Sequence, residues 1–472
     1  MYTAKKMNLM QAMFLTMAFF ASIRRIPNVA AAGWESIFFM AFAVVMFVIP
    51  ISFISAELAT AMPVDGGLPI WVGKALSPRW GFVAAWLVWI QMCFGMVTVG
   101  ATFADMVATI FNIKWLVDND VFIGLVIIAL YWLVTFLMIK GIPITSMSTY
   151  GTIFGLFVPL AILLIFGTIY AATTHPEILT PPSLSEMIPS SANVSELSNL
   201  SGIIFMFAGM EQISNFANRL DQPRRDYPRA IILATLLIAG LFNYAGLIMD
   251  GLMKQSSIIL TDPAQVYSVI FSGWGMGWMT AVVAAMISLS CVTEMSAWIV
   301  GPCRGVLRCA QSGFLPPVFQ KTGRSQRPVN IMILQAIIVT VVALMFVCNP
   351  ATNGVEHTVL TMTVVLYCVV YVLILLSGIF FRHKYPNDNH TFKIRGGMPG
   401  MCILAGIGLL GVGFVIFSSF IPPDGFASSQ KIDYILFMII GMIALSAIPL
   451  LFYRFRKSSW RMQETPPGKK TD

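Results

Sequence analysis

Residues 20–28 read Phe-Ala-Ser-Ile-Arg-Arg-Ile-Pro-Asn, a polar interruption inside a long apolar segment. Residues 207–215 read Phe-Ala-Gly-Met-Glu-Gln-Ile-Ser-Asn, so that Phe, Ala, Ile and Asn recur in register and Arg24 corresponds to Glu211. Ionisable groups at bilayer depth usually line a cavity or pair with one another, because a charge there costs at least ~2.5 kcal/mol. Two interruptions at matching positions therefore predict discontinuous helices around a substrate site at the membrane midplane.

The composition indicates an integral membrane protein. Of the 472 residues, 57% are hydrophobic and 11% are charged, whereas roughly 25% are charged in an ordinary soluble domain. Segments of about 20 apolar residues, the length that crosses the hydrocarbon core, predict an all-α fold with twelve transmembrane helices. These predicted spans lie near residues 9–32, 36–61, 81–111, 121–139, 151–172, 199–216, 229–249, 277–302, 329–348, 358–381, 401–420 and 433–453.

Basic residues set the predicted orientation, because cytoplasmic loops retain Lys and Arg. Of the 29 Lys and Arg residues, 24 fall on the face that carries both termini, which is therefore predicted to be cytoplasmic. The net charge of +8 follows this loop-by-loop pattern, so we expect no nucleic acid partner. Membrane lipid is an expected partner, in particular along the Arg-rich stretch 219–229.

The two interruptions begin 187 residues apart, which is about five spans, so the second copy crosses the membrane in the opposite direction. The pattern predicts a 5+5 inverted repeat of about residues 9–172 and 199–381, with discontinuous helices 1 and 6. Two further helices over 401–453 complete a single transporter domain at 1–453. Residues 454–472 are predicted to form a short, disordered cytoplasmic tail.

The interrupted backbone supplies the first candidate site residues. If spans 1 and 6 unwind, their exposed N–H groups and half-helix N-termini can hold a substrate carboxylate. Pro27 fits the start of a second half-helix, where its missing N–H does no harm. The candidate backbone positions are Ala21, Ser22, Ile23, Phe207, Ala208, Gly209 and Met210.

Ionisable side chains inside the spans are the next candidates. Arg24 and Glu211 either contact substrate or neutralise one another, and a pair that opens and closes with occupancy would act as a gate. Adjacent helical residues point about 100° apart, so we expect only one of Arg24 and Arg25 to face the cavity. Glu57 and Asp105 lie nearer the span ends or helix interfaces, which favours structural roles.

Aromatic residues accompany the charges in spans 8 and 10. Glu294 and Trp298 are four residues apart and so share a helix face, where Trp298 either stacks on substrate or packs between helices. Tyr367 and Tyr371 have the same spacing and offer hydroxyl groups, a gate, or packing alone. The sequence contains no catalytic, phosphate-binding or metal-binding motif, and its four histidines are assigned to loops, so we expect neither an enzyme nor a cofactor.

A family resemblance rests on several strings that occur in order along the chain. They are Ser77-Pro-Arg-Trp-Gly-Phe82, Arg225-Asp-Tyr-Pro228, Glu294 followed by Trp298-Ile-Val-Gly-Pro-Cys-Arg-Gly305, Thr363-Val-Val-Leu-Tyr367, Thr391-Phe392 before Gly396-Gly397, and Pro422-Pro-Asp424. Together they resemble the amino acid, polyamine and organocation (APC) transporter superfamily, and most closely its bacterial glutamate:γ-aminobutyrate antiporter group.

The resemblance implies the inverted-repeat fold of LeuT-type transporters in a bacterial inner membrane. It also implies a site lined or gated by five side chains, which are Glu211, Glu294, Trp298, Tyr367 and Tyr371. Arg24 and Arg25 depart from the antiporter group, which has an aromatic and an acidic residue just before the helix 1 Pro. The tail after Tyr453 is also too short to supply the cytoplasmic plug of that group's acid-resistance members.

The sequence thus predicts a secondary-active transporter that works by alternating access, as a monomer or homodimer. It is expected to exchange an acidic or neutral amino acid, glutamate first, for an intracellular amino acid or its decarboxylation product. Arg24 or Arg25 would meet an acidic side chain, the broken helices the α-carboxylate, and Glu211 or Glu294 the α-amine. A proton-coupled uptake permease and a substrate sensor with the transporter fold are the alternatives.

Overall fold

Helices make up most of the described chain in this computed structural model. The structure describes residues 7–62, 67–117, 119–142, 148–174, 187–189, 197, 199–211, 220–253, 257–323, 327–348, 352–386, 392–422 and 428–462. In chain order the main helices are α1 (Leu9–Phe20), α2 (Ile26–Ala31), α3 (Gly33–Ala61), α4 (Leu68–Ala75), α5 (Pro78–Ile110), α6 (Asp120–Ile139), α7 (Tyr150–Thr174), α8 (Asn199–Met206), α9 (Pro223–Leu252), α10 (Gln265–Gly273), α11 (Trp278–Gln311), α12 (Val329–Cys348), α13 (Thr352–Lys384), α14 (Gly397–Ser419) and α15 (Ser428–Arg454).

Ten helices of the described chain are long and apolar enough to cross a membrane, namely α3, α5, α6, α7, α9 and α11 to α15. They coincide with ten of the predicted spans. The other two predicted spans, 9–32 and 199–216, hold α1 with α2 and α8, which are too short to cross alone. These are the two spans with the polar interruptions, so the interruptions divide otherwise apolar segments.

Helix α5 forms the centre of the bundle. In its most apolar stretch 94% of the residues are buried, against 11% for α15. α5 packs along α11 and α13, the two helices that carry the predicted aromatic and acidic site residues. On α15, by contrast, Ile432, Ile440 and Ile443 are exposed, as expected for a helix that faces lipid.

Gly81 allows α4 and α5 to approach closely. A Cβ at this position would lie 2.6 Å from the Pro69 carbonyl oxygen and 2.8 Å from Gly73 Cα. We expect Gly81→Ala to destabilise the protein by about 1–3 kcal/mol, the usual cost of overpacking, and to lower its thermal aggregation midpoint in detergent. Gly413→Ala is the matched control, because nothing lies within 4 Å of a Cβ at Gly413. Equal shifts for the two variants would contradict this account of the packing.

At the first interruption the backbone leaves the helical conformation at the positions that the sequence predicts. α1 ends at Phe20 because Ala21 and Ser22 are extended, with ψ of 129° and 125°. A 3-10 turn follows at Ile23–Arg25, and α2 then begins with Pro27 in its first turn, where the missing N–H costs no hydrogen bond. The chain therefore crosses this level of the bundle as two short helices joined by an extended segment.

The second interruption begins at the matching place. α8 ends at Met206 and residues 207–209 form a turn. Gly209 has a φ of +98°, a conformation that glycine adopts without the steric cost of a Cβ. The rest of the sequence echo, residues 212–215, lies outside the described residues.

Part of the chain after α15 contacts the end of α11. Residues 457–462 form a short turn at the end of α11, and the Met462 N–H donates a hydrogen bond to the Gln311 carbonyl at 3.1 Å. Residues 463–472 lie outside the described residues.

Candidate substrate site

A cavity of about 1320 Å³ lies between the two interruptions and α11. The predicted site residues that line it are Ala21, Ser22, Arg24, Arg25, Ala208, Glu211, Glu294 and Trp298. Gln11, Arg304 and Arg308 line it as well, so the cavity extends to the end of the bundle where α1 begins and α11 ends.

Six predicted site residues lie behind the cavity wall. Ile23, Phe207 and Met210 are buried in the core. Gly209, Tyr367 and Tyr371 are not in contact with the cavity but form a layer behind Glu211. The sequence placed all six residues at the site; the structure buries the first three in the core and places the last three behind Glu211.

Arg24 forms a direct ion pair with Glu294. The Arg24 Nη2 lies 2.6 Å from the Glu294 Oε1, and Arg24 is only 5% exposed whereas Glu294 is 24% exposed. The sequence suggested Glu211 as the neutralising partner because of the echo, but the ion pair that Arg24 makes is with α11. Either Glu211 or Glu294 could neutralise the charge of Arg24. The packing of α11 against the first interruption brings Glu294 into contact with it.

Both arginines face the cavity. The Arg24 Nη1 and the Arg25 Nη2 each lie 3.5 Å from the Thr98 hydroxyl on α5, and the Arg25 guanidinium lies over the Phe205 ring at 4.3 Å. The expectation that only one would face the cavity is wrong. It assumed a regular α-helix, whereas the 3-10 turn at Ile23–Arg25 and two long side chains let both guanidinium groups converge.

Glu211 is held by two stacked tyrosines of α13. The Tyr367 hydroxyl donates to Oε1, and the Tyr371 hydroxyl donates to Oε2 at 3.0 Å. The Gly209 N–H in turn donates to the Tyr371 hydroxyl at 3.3 Å, and the tyrosine ring centroids are 4.6 Å apart. Tyr371 therefore connects α13 to the second interruption in two ways: through the Gly209 N–H and through the Glu211 side chain.

Open backbone donors lie at the first interruption. The N–H groups of Ser22 and Arg24 make no hydrogen bond within the part of the chain that the structure describes. At the second interruption, the N–H groups of Ala208 and Met210 are bonded within the turn, to carbonyl oxygens at 3.2 and 3.3 Å. The sequence assigned carboxylate binding to both interruptions, but the structure leaves these donors open at the first.

Comparisons with known proteins identify the family of this chain. A family model described as amino acid permease matches residues 7–445, nearly the whole chain. The chain belongs to the amino acid permease family. It is 28% identical over 457 residues to an uncharacterised transporter of Legionella pneumophila, covering 96% of this chain and 97% of that protein.

Two further relatives of the permease carry antiporter names. A glutamate/gamma-aminobutyrate antiporter of Lactococcus lactis is 29% identical over 457 residues, which cover 95% of this chain and 90% of that protein. A probable agmatine/putrescine antiporter of the same species is 25% identical over 378 residues, 78% of each chain. The chain is thus similar both to a transporter named for glutamate and gamma-aminobutyrate and to one named for agmatine and putrescine.

Two buried acidic residues of the permease act outside the cavity. Glu57 accepts hydrogen bonds from the Arg382 Nε at 2.9 Å and Nη2 at 2.6 Å, and from the Ile394 N–H at 2.7 Å. Asp105 accepts a hydrogen bond from the Thr261 hydroxyl. These contacts join parts of the chain that are distant in sequence. They agree with the structural roles that the sequence analysis favours for Glu57 and Asp105.

Sequence reasoning missed two residues of the permease that contact Arg25, and also a buried carboxylate of α13. Thr98 and Phe205 are ordinary residues within apolar helices, so no pattern singled them out. Glu356 was assigned to a loop because the predicted span began at 358, but α13 begins at Thr352 and Glu356 is only 3% exposed. His357 was assigned to the same loop and is a buried residue of this helix.

Tyr371→Phe tests the support of Glu211 in the permease. The variant removes a hydroxyl that bonds both the carboxylate and the Gly209 N–H. Hydrogen bonds to charged groups contribute about 1.5–3 kcal/mol, so we expect substrate exchange to fall about 10- to 100-fold. Tyr131→Phe is the matched control, since its buried hydroxyl has no hydrogen-bond partner among the described residues. Exchange rates in proteoliposomes that fall equally in both variants would contradict the role of Tyr371.

Proposed function

We propose that this permease is a secondary-active antiporter that takes an acidic amino acid, glutamate first, in exchange for an intracellular amino acid or its decarboxylation product. It would work by alternating access in a bacterial inner membrane, with twelve transmembrane helices in a 5+5 inverted repeat plus two. The observation that carries the proposal is the pair of buried guanidinium groups, Arg24 and Arg25, at the first interruption. Similarity to the glutamate/gamma-aminobutyrate antiporters supports it.

The charge of the cavity supports an anionic substrate over a polyamine. Its lining contains the side chains of four arginines and two glutamates: Arg24, Arg25, Arg304, Arg308, Glu211 and Glu294. A cavity lined by an excess of one sign raises the local concentration of the opposite charge. Agmatine and putrescine, for which one relative is named, are cations. We therefore expect a cavity with excess positive charge to bind them poorly.

The contacts suggest which part of the substrate each site residue would bind. Arg24 is already paired with Glu294. Among the described residues Arg25 has a 3.5 Å contact with the Thr98 hydroxyl and lies over the Phe205 ring, so Arg25 would meet the acidic side chain. The open N–H groups of Ser22 and Arg24 would hold the α-carboxylate. Glu294 would meet the α-amine, because it is 24% exposed whereas Glu211 is 1% exposed.

The end of the bundle at which the cavity opens suggests which state of the transport cycle the structure represents. The cavity reaches Gln11 and Arg308 at the end of the bundle that the basic-residue pattern predicts to be cytoplasmic. The structure would then correspond to an inward-open state. Substrate exchange would require α1, α2 and α8 to move relative to α5 and α11, so that the opposite end opens.

Uptake into proteoliposomes tests the function. Vesicles are preloaded with glutamate, γ-aminobutyrate, glutamine, putrescine or buffer, and external radiolabelled glutamate is then added. We expect uptake that requires an internal amino acid and that external putrescine does not inhibit. Uptake into buffer-loaded vesicles driven by a proton gradient would replace the antiporter with a proton-coupled permease, and absence of any flux with retained binding would favour a sensor.

A further inference from the structure

A further cavity, of about 870 Å³, lies between α3, the start of α9, the segment 392–395 and the beginning of α14. We call it the peripheral cavity. Among the described residues it shares no lining residue with the substrate cavity. Lys393 and Arg395 are the charged residues of its lining, and the other side chains that line it are apolar. The peripheral cavity therefore combines two basic side chains with apolar walls.

The peripheral cavity lies at one end of a helix that faces lipid. Its basic segment precedes α14 at the end of the bundle that the basic-residue pattern predicts to be cytoplasmic. Ile403, in the second turn of α14, lines the cavity and is 65% exposed. In the most apolar stretch of α14 only 33% of the residues are buried, as expected for a helix in contact with lipid. The cavity is thus at the depth where lipid headgroups meet acyl chains.

A buried ion pair fixes the backbone that carries the two basic residues. The Ile394 N–H donates a hydrogen bond to the Glu57 Oε2 at 2.7 Å, and the Arg382 Nη2 donates to the Ile394 carbonyl at 3.1 Å. The Arg382 Nη1 also donates to the Gly397 carbonyl. Both charges of this ion pair are buried. The segment before α14 is therefore attached to the core of the bundle from its inner side.

Side chains of this segment alternate between the core and the surface. Phe392 is buried, with its ring centroid 5.9 Å from that of Tyr227 and 6.0 Å from that of Phe53. Lys393 and Arg395 are exposed. An extended chain places alternate residues on opposite sides, so the two basic side chains lie on the same side of the segment. They are thus held next to one another beside apolar walls.

The charge around the peripheral cavity favours an anion. The first turns of α9, which supply Pro228 to the cavity wall, carry the exposed Arg225 and Arg229 and one carboxylate, Asp226. The Asp226 Oδ2 accepts a hydrogen bond from a backbone N–H of the same turn at 3.2 Å. Clustered Lys and Arg side chains at the membrane surface attract anionic headgroups. A soluble anion would leave the apolar walls in water, whereas a phospholipid would cover them with an acyl chain.

We propose that the peripheral cavity binds an anionic phospholipid of the leaflet that is predicted to be cytoplasmic. Its phosphate is held by Lys393 and Arg395, and an acyl chain lies against Phe53, Ile403 and Leu404. The proposal goes beyond the proposed function, because it concerns a second site and does not depend on which substrate is transported. It also assigns the buried pair of Glu57 and Arg382 a role in positioning the lipid-binding segment.

Lipid binding to the purified protein tests the inference. Delipidated protein in a neutral detergent is titrated with phosphatidylglycerol, or with phosphatidylcholine of the same acyl chains, and native mass spectrometry counts the lipids bound. We expect one tightly bound phosphatidylglycerol, with a Kd at least about tenfold lower than that of phosphatidylcholine. Each basic residue contributes about fivefold to the affinity for anionic lipid, so Lys393→Gln combined with Arg395→Gln should raise this Kd about 25-fold.

Lys321→Gln combined with Lys457→Gln is the matched control. Both lysines are exposed at the same end of the bundle and neither lines the peripheral cavity. This variant loses the same charge and should bind phosphatidylglycerol as wild type does. Equal losses of affinity in the two double variants would show general attraction of anionic lipid and overturn the site.

Two measurements on wild-type protein decide the inference even if the Lys393 and Arg395 variant does not fold. Equal Kd values for phosphatidylglycerol and phosphatidylcholine would overturn it. Glycerol 3-phosphate, the soluble headgroup analogue, should not displace bound phosphatidylglycerol, because it has no acyl chain to cover the apolar walls. Displacement by glycerol 3-phosphate at the concentrations at which phosphatidylglycerol binds would show a site for soluble anions and overturn the lipid assignment.

Discussion

Replacing Arg25 with methionine is expected to lower glutamate exchange by about 30-fold or more. Removing one partner of a buried, hydrogen-bonded charge pair costs about 2–5 kcal/mol, and every 1.4 kcal/mol corresponds to a tenfold change. Methionine keeps much of the length of the side chain and its packing on Phe205, so the change removes mainly the charge. Glutamine exchange should fall far less, because a neutral side chain makes no ion pair with Arg25. Initial rates of both substrates in proteoliposomes provide the measurement.

Arg304→Met is the matched control for this prediction. Arg304 also lines the cavity but is exposed near its mouth, where a lost charge mainly affects association rate and salt dependence. We therefore expect a change of only a few-fold, which high salt largely removes. Similar losses for the two variants, or equal losses of glutamate and glutamine exchange in Arg25→Met, would contradict direct recognition of an acidic side chain by Arg25.

The largest effect on stability is expected for Glu57→Gln. This carboxylate is 1% exposed and accepts two hydrogen bonds from Arg382, which is 6% exposed, and one from the Ile394 N–H. Breaking a buried ion pair by removing one charge costs about 3–5 kcal/mol, because the remaining charge stays buried. We expect a marked fall in the thermal aggregation midpoint and in the yield of monodisperse protein in detergent.

A double replacement distinguishes the charge from the packing. Glu57→Leu combined with Arg382→Met removes both charges, and such replacements are often close to neutral in stability. The double variant should therefore aggregate at a higher temperature than Glu57→Gln alone. A double variant that is less stable than the single one would show that the hydrogen bonds to residues 394 and 397, rather than the balance of charge, hold this region together.

Much of the fold follows from polarity along the chain. Apolar length alone locates the ten continuous helices, and the polar strings at residues 20–28 and 207–215 locate the breaks, because neither string can continue an apolar membrane helix. Boundaries are less predictable where a helix extends past its apolar part. The start of α13 was missed for this reason, and with it Glu356 and His357.

The partners of the charged residues could not be derived from the sequence. The echo pairs Arg24 with Glu211, but tertiary packing brings Glu294 within 2.6 Å of Arg24 and surrounds Glu211 with tyrosine hydroxyl groups. Thr98 and Phe205 contact Arg25 only because α5 and α8 pack against the first interruption. Such contacts depend on distances between helices, which one-dimensional periodicity does not contain.

The most direct test of the central claim is an experimental structure of the protein determined at saturating glutamate. The account predicts glutamate in the cavity between the two interruptions, with its α-carboxylate at the N–H groups of Ser22 and Arg24. Its side-chain carboxylate should lie within 4 Å of the Arg25 guanidinium, the distance that defines an ion pair. Glutamate bound outside this cavity, or inside it with its side chain directed away from both arginines, would contradict the account.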